Sequence, residues 1–484
     1  MKSRVTRRSF LKTSTVAAAA LSAASWNRVR GANDSVRVAV VGFKGRGAEH
    51  ISGFSKQPGV RVAALCDLDP KVLGGQVQKL KDAGNDVKGY KDVREVIAAR
   101  DVDIISTATP NHWHALITVW ACQANKDVYC EKPVSHNVWE GRKAVDAARK
   151  YKRIVQTGTQ SRSSQAIREA VAWVRAGNLG KILLSRGLCY KPRQSIGKVD
   201  GPQPIPEGLD YDLWCGPAPM SPLMRKNLHY DWHWVFETGN GDLGNQGIHQ
   251  MDIARWFLGE KELSPVVVSV GGRLGYVDDG NTPNTQIVYH GYEKAPLLFE
   301  VRGLPKDKAS QAEWGKNMDR FMDGQISVVV HCEGGHVLVP NYSSAIAYDR
   351  TGEEIKRWEG AKDHFQNFID AVRSRQVEDL NADILEGHLS SALCHTGNIS
   401  YRLGKRLEPG AAREQLKDFS KVQLAFDRMS DHLRRNGVNL KEEQLTVGLG
   451  LRMDPATEKF IGNAEANKML TREYRKPYVV PENV

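Results

Sequence analysis

Between Val36 and Val41 the chain runs through Val-Arg-Val-Ala-Val-Val and then ends abruptly in Gly42-Phe43-Lys44-Gly45-Arg46-Gly47. A β-branched, nearly uninterrupted apolar run is what a strand covered on both faces of a parallel sheet requires. Glycines directly after it allow a tight turn into a helix. Short runs of the same kind recur at 60–66, 102–108, 127–130 and 153–157, with helical spacing at 71–83, 114–124 and 138–151 between them. Strands alternating with helices predict a doubly wound α/β Rossmann sheet with right-handed crossovers over residues 35–160.

The rhythm changes after residue 160. A helix at 164–175 and a strand at 181–190 lead into a Pro-, Gly- and Trp-rich stretch, 191–243, too long for an idle connector. A helix from about 247, alternating segments at 266–270, 285–289, 297–302 and 326–331, and helices at 364–374 and 383–403 predict an α+β domain with an open, largely antiparallel sheet over 161–404. Residues 405–484 read as a polar, charged extension. At 484 residues and 41% hydrophobic, the chain is long enough for two cores.

The N-terminus carries Thr6-Arg7-Arg8-Ser9-Phe10-Leu11-Lys12, then a weakly apolar stretch at 16–21 and Ser22-Ala23-Ala24. This reads as a twin-arginine signal and linker over 1–34, too short and alanine-rich to span a membrane. It predicts passage of the folded protein through the twin-arginine export machinery to the periplasm. Of the formal charge of +12, five units sit on Lys2, Arg4, Arg7, Arg8 and Lys12, leaving +7 spread over the rest. With no dense basic stripe, no nucleic-acid partner is expected. The seven cysteines are odd in number and widely spaced, without a Cys-x-x-Cys pair, so they read as buried thiols and no metal is expected.

The glycine turn lies where a dinucleotide fold meets a pyrophosphate with backbone N–H groups and a helix N-terminus, so Gly42, Lys44, Gly45, Arg46 and Gly47 are candidate cofactor contacts. Lys44 replaces the middle glycine of G-x-G-x-x-G, with Gly45 beside it. Asp67, ending the second strand, suits the ribose hydroxyls and repels a 2′-phosphate, which favours NAD over NADP; Arg46 nearby softens that preference.

Three further segments, Thr109-Pro110-Asn111-His112-Trp113-His114, Cys130-Glu131-Lys132-Pro133 and Gly247-Ile248-His249-Gln250-Met251-Asp252, follow in register. As a set with the glycine turn and Asp67, they resemble the glucose-fructose oxidoreductase / inositol dehydrogenase (Gfo/Idh/MocA) family over roughly residues 35–404. The resemblance implies an NAD(P) domain followed by a sheet domain that makes homo-oligomer contacts. It also places Thr109, Asn111, His114, Glu131, Lys132 and Gln160 along the dinucleotide and Lys132 beside substrate and nicotinamide. Partial desolvation beside a cationic nicotinamide would lower the Lys132 pKa, suiting it to bind or deprotonate a hydroxyl.

His249 is the candidate general acid/base, since an imidazole can take a hydroxyl proton as hydride leaves the same carbon. His249 and Asp252 share a helix face, with Gly247 allowing the helix start to approach a ligand. In inositol dehydrogenase-like members an aspartate four residues earlier partners this histidine; here the position is Asn245, leaving Asp242 or Asp252 as possible compensators. Tyr230, Trp232 and Trp234 read as a carbohydrate-stacking wall, with a metal site at His229 and His233 the less favoured alternative. His395, interrupting an otherwise apolar helix, is a further candidate substrate contact.

These residues predict an NAD(P)-dependent oxidoreductase acting on a sugar, sugar acid or cyclitol. Because free NAD is scarce outside the cytoplasm, the cofactor is expected to be tightly bound and recycled in place. Two alternatives stand beside this. One is glycoside cleavage by transient oxidation, elimination, water addition and re-reduction, as in bacterial NAD-dependent α-N-acetylgalactosaminidases, which the chain also resembles. The other is a non-catalytic sugar-binding or scaffold protein, favoured by Lys44 and Asn245.

Overall fold

The computed structural model describes residues 35–484, and the predicted export signal at 1–34 lies outside them. Strands β1 (Val36–Val41), β2 (Val60–Cys66), β3 (Lys88–Tyr90), β4 (Ile104–Thr107), β5 (Asp127–Cys130) and β6 (Val155–Thr157) form a six-stranded sheet in the order β3-β2-β1-β4-β5-β6. Every pair in it is parallel. The strand order reverses at β1 and β4, so their carboxyl ends splay apart into the crevice where such sheets take ligands. The apolar runs end where the strands end. By contrast β3 and the short helix Val93–Ala98 escaped prediction, because Lys88-Gly89-Tyr90 sits on an edge and carries no buried run.

The second sheet has twelve strands: β7 (Ile182–Cys189), β8 (Val266–Gly272), β9 (Thr285–His290), β10 (Leu297–Arg302), β11 (Ile326–Cys332), β12 (Gly335–Val339), β13 (Ser344–Asp349), β14 (Glu354–Glu359), β15 (Lys405–Leu407), β16 (Leu445–Val447), β17 (Leu451–Asp454) and β18 (Lys459–Phe460). Only β7–β10 is parallel; the other pairs are antiparallel, as the alternating pattern predicts. Helices Gly247–Leu258 and Ile384–Arg402 pack on one face, burying Ile248, Met251, Phe257, Leu389 and Leu393 against Val288, Phe299 and Val330.

Residues 405–484 are built into the fold rather than appended to it. β15 and β16 extend the sheet, and helix Ser420–Arg435 buries Val422, Ala425, Phe426, Met429 and Leu433 against Ile287 and Leu298. The spacing of those five is a helical stripe, each large apolar side chain contributing about 1.5–3 kcal/mol of gross burial. Abundant Lys, Arg, Asp and Glu on the opposite face make the segment look polar.

The chain also returns twice to the first sheet. Helix His364–Ser374 stacks Phe365 on Tyr129, centroids 5.1 Å apart, and sets Phe368 among Phe54 and Leu65. Near the C-terminus Tyr478 packs edge-on to Trp113 at 5.5 Å. The two contacts tie the second half of the chain to opposite faces of the Rossmann sheet.

Candidate active site

At the carboxyl ends of β1, β2, β4 and β5 opens a cavity of about 400 Å³, closed from above by the 229–233 loop, Asn245, His249 and Tyr342. Gly42 has φ +73°, and a Cβ there would lie 3.1 Å from Thr109, so the turn presses directly on the neighbouring strand's end. Gly47 opens the helix Gly47–Ser55, and a Cβ on it would sit 2.0 Å from the Gly42 carbonyl oxygen. Gly45 differs: a Cβ there meets nothing within 4 Å, and the residue lines the cavity. Two glycines therefore make the turn, and the third leaves its backbone open to a ligand.

Asp67 locks the same turn. Its Oδ2 accepts from the Phe43 N–H at 3.1 Å and its Oδ1 from the Asp69 N–H at 3.0 Å. Burial raises its pKa, opposed by those backbone hydrogen bonds. Asp69 caps helix Pro70–Asp82 through the Lys71 and Val72 N–H groups and accepts from His229 Nε2 at 3.0 Å. Lys44, about half exposed, stands 3.9 Å from Asp69. Arg46 turns the other way, donating from Nε to Glu131 Oε1 at 2.9 Å and pairing with Glu49, so its charge is spent away from Asp67.

Deeper in, Glu131 is buried. Burial would raise its pKa, but the His50 hydrogen bond at 3.0 Å and the Arg46 charge hold it well below the usual range. It also accepts the Lys132 N–H, 3.1 Å away. His50 in turn meets Ser106 Oγ at 2.8 Å, and Gly158 leaves room for the carboxylate, since a Cβ there would lie 2.7 Å from it. The ion-pair cluster orients the next residue. Lys132 Nζ donates to the Asn245 backbone oxygen at 2.9 Å and to Asn245 Oδ1 at 3.3 Å. Burial lowers the Lys132 pKa, Glu131 opposing and Arg46 reinforcing the shift. An amide at 245 holds the ammonium without adding a countercharge, which keeps that pKa low.

His249 lies beside Lys132 with burial depressing its pKa to about 3, Lys132 adding to the effect. Its Nδ1 is buried without a hydrogen-bond partner among the described residues, and its ring packs on Tyr342 at 5.2 Å. The Tyr342 hydroxyl accepts from Gln246 Nε2 at 2.6 Å. Neither compensating aspartate reaches His249. Asp242 is held by Arg193 through two 2.8 Å bonds, and Asp252 is fully buried against Arg162 and Ser390. Gly247 does not line this cavity, and its missing Cβ makes room for the Asp242 oxygen at 2.9 Å and for Phe299.

The cavity gathers Gly42, Lys44, Gly45, Arg46, Asp67, Thr109, Asn111, His114, Glu131, Lys132, Gln160, Tyr230, Trp232, Asn245 and His249. Three expected contacts stand elsewhere. Gly47 is packed under the turn, and Trp234 lies beneath the Arg193 guanidinium at 5.1 Å. His395 lies outside this cavity because the helix Ile384–Arg402 directs it to Ser135 and Asn240. His229 and His233 diverge, one to Asp69 and the other to the Tyr230 oxygen at 2.5 Å, so they form no metal pair. Sequence reasoning missed Tyr342, His50 and Arg193. Tyr342 comes from a loop after β12 with no motif around it, and only the fold brings it to His249.

Residues 36–159 match the model of an oxidoreductase family with an NAD-binding Rossmann fold, and residues 181–434 match that family's C-terminal alpha/beta domain. The chain belongs to the Gfo/Idh/MocA oxidoreductase family. Within it, the inositol 2-dehydrogenase of Salmonella typhimurium is 28% identical over 181 residues, 37% of this chain and 53% of that protein. The chain thus spans about half the length of such curated relatives. Glycosyl hydrolase family 109 protein 2 of a Shewanella species is 34% identical over 166 residues, 29% of this chain and 36% of that one. The Gfo/Idh/MocA fold is shared with the WlbA dehydrogenase of Bordetella pertussis, solved with NADH and UDP-GlcNAcA, at TM-score 0.54 and 17% identity over 74% of this chain and 94% of that chain.

Proposed function

We propose that this Gfo/Idh/MocA protein is an NAD-dependent oxidoreductase for a sugar, sugar acid or cyclitol, exported through the twin-arginine pathway with its cofactor retained and recycled. The observation that carries the reading is one cavity with the open Gly45 turn and Asp67 at one end and Lys132, Asn245 and His249 at the other. The residues fit a dinucleotide: Gly45 leaves backbone open where a pyrophosphate would lie. The orphaned His249 Nδ1 and Gln160 Oε1 mark polar groups awaiting a partner at the reacting end. Asp67 and the diversion of Arg46 to Glu131 favour NAD over NADP.

NAD held there supplies the hydride acceptor. Lys132 donates to the substrate hydroxyl oxygen and fixes the reacting carbon. His249, whose Nδ1 has no partner among the described residues, accepts the hydroxyl proton. Tyr342 holds the imidazole plane in place of the missing carboxylate, and Tyr230 and Trp232 offer aromatic faces to a sugar ring. Lys132→Met should abolish turnover while leaving the fold and nucleotide binding intact; near-normal activity would overturn the assignment.

The likeness to glycosyl hydrolase family 109 favours a second reading, in which oxidation is transient and a glycosidic substituent leaves before water adds. Incubation with glycosides in deuterated water separates the two. Deuterium in the freed sugar supports elimination; its absence, with interconversion of two added sugars, supports paired redox chemistry.

A further inference from the structure

A second cavity, of about 380 Å³, lies behind the first, walled by His136, Asn240, His395, Asn398, Arg402 and Arg472. Asn240 divides the two: its Oδ1 accepts from Asn111 Nδ2 on the cofactor side at 2.9 Å, while its Nδ2 donates to the His136 oxygen at 3.0 Å. Nothing in the proposed reaction uses this space.

Its charges are unusual. Arg402, exposed to solvent at the cavity's edge, lies with its guanidinium 4.9 Å from the Phe236 ring centre and has no hydrogen-bond or ion-pair partner among the described residues. Partial desolvation lowers its pKa, with Glu237 opposing the shift and Arg472 adding to it. Arg472 donates to the His136 imidazole and, at 3.0 Å, to the Glu237 backbone oxygen. Its nearest carboxylate, Glu140, is 3.9 Å away, and its second terminal nitrogen is buried without an acceptor. The lining carboxylates do not close this gap. Glu465 is paired with Lys468 at 2.8 Å, Glu237 accepts from Asn281 at 3.4 Å, and Glu473 is exposed. Burial also keeps His136 neutral, its pKa well below the ordinary value, with Arg472 contributing. Phe236, Ile399 and Met469 supply an apolar side.

We infer that this cavity is a binding site for a small organic anion, its carboxylate or phosphate held by Arg402 and Arg472 and its body laid on Phe236, Ile399 and Met469. Guanidinium groups present forked donors matched to such oxyanions. Binding would recruit the Arg402 donors, which no group among the described residues takes.

The test uses the nucleotide-loaded protein, so that the dinucleotide turn is filled, at constant ionic strength. Benzoate, inorganic phosphate and the neutral benzamide are titrated calorimetrically. Saturable binding of benzoate or phosphate but not benzamide is expected, the active probe naming the anion class. Arg402→Gln should weaken it by about tenfold or more, the loss of one charge-assisted bond, with Arg402→Lys falling between. Absence of binding by both anions to the unmodified protein overturns the inference, as does equal affinity in a folded Arg402→Gln protein.

Discussion

Substituting alanine at each glycine of the phosphate turn separates architecture from binding. At Gly45 the backbone is outside the left-handed region and a Cβ meets nothing within 4 Å, so Gly45→Ala should fold normally. It should even gain about 0.4–1 kcal/mol from a stiffer unfolded chain. Gly45 nevertheless lines the cavity, where an added methyl crowds the backbone that a ligand must approach. A pyrophosphate that must approach the Gly45 backbone loses one or two charge-assisted hydrogen bonds, each worth about 1.5–3 kcal/mol, so NADH affinity should fall by about tenfold to a thousandfold or more. Gly47→Ala is the contrast. Its Cβ would lie 2.0 Å from the Gly42 oxygen, forcing the turn to distort. Overpacking of this kind costs about 1–3 kcal/mol, several degrees in Tm. Thermal melts by circular dichroism and NADH titrations by fluorescence read the two effects. Unchanged NADH affinity in Gly45→Ala would refute the assignment of the turn, and a markedly lowered Tm there would refute the open-space geometry.

Asn245→Asp places a carboxylate at the Lys132 ammonium, raising the lysine pKa; the alkaline limb of the pH–rate profile should move upward, and an unmoved limb would disconnect the pair. Arg162→Ala strands the fully buried Asp252 carboxylate, so stability should drop by about 3–5 kcal/mol in urea titrations, an effect a surface pair would not give. His112, His233, His249 and His395 all have folded-state pKa values of about 3, depressed by burial. Between about pH 6.5 and 3 the unfolded chain therefore binds more protons than the folded one. Each such histidine should remove about 1.4 kcal/mol per pH unit as pH falls through that window, and a urea midpoint equal at pH 7 and pH 5 would contradict it.

The Rossmann half was legible because its code is local. β-branched runs mark strands covered on both faces, glycines mark the turn, and Asp67 and Glu131-Lys132 follow strand ends. What stayed hidden depends on distance. Lys88-Gly89-Tyr90 becomes a strand only by pairing with β2, and the stripe of Val422, Phe426, Met429 and Leu433 is diluted by the charges around it. The same holds at the site. Asn245 could be flagged as a departure from an aspartate, but that its amide holds Lys132 rather than His249 follows from a contact across 113 positions. His395 read as a substrate contact because it interrupts an otherwise apolar helix; the fold turns it to Ser135 and Asn240.

The proposed reaction requires a nucleotide that stays with the chain through turnover. Purifying the exported protein, denaturing it and identifying the released nucleotide tests that most directly. One equivalent of NAD per chain, in the same redox state before and after exposure to substrate, is the predicted result; a protein that releases no nicotinamide nucleotide would contradict it.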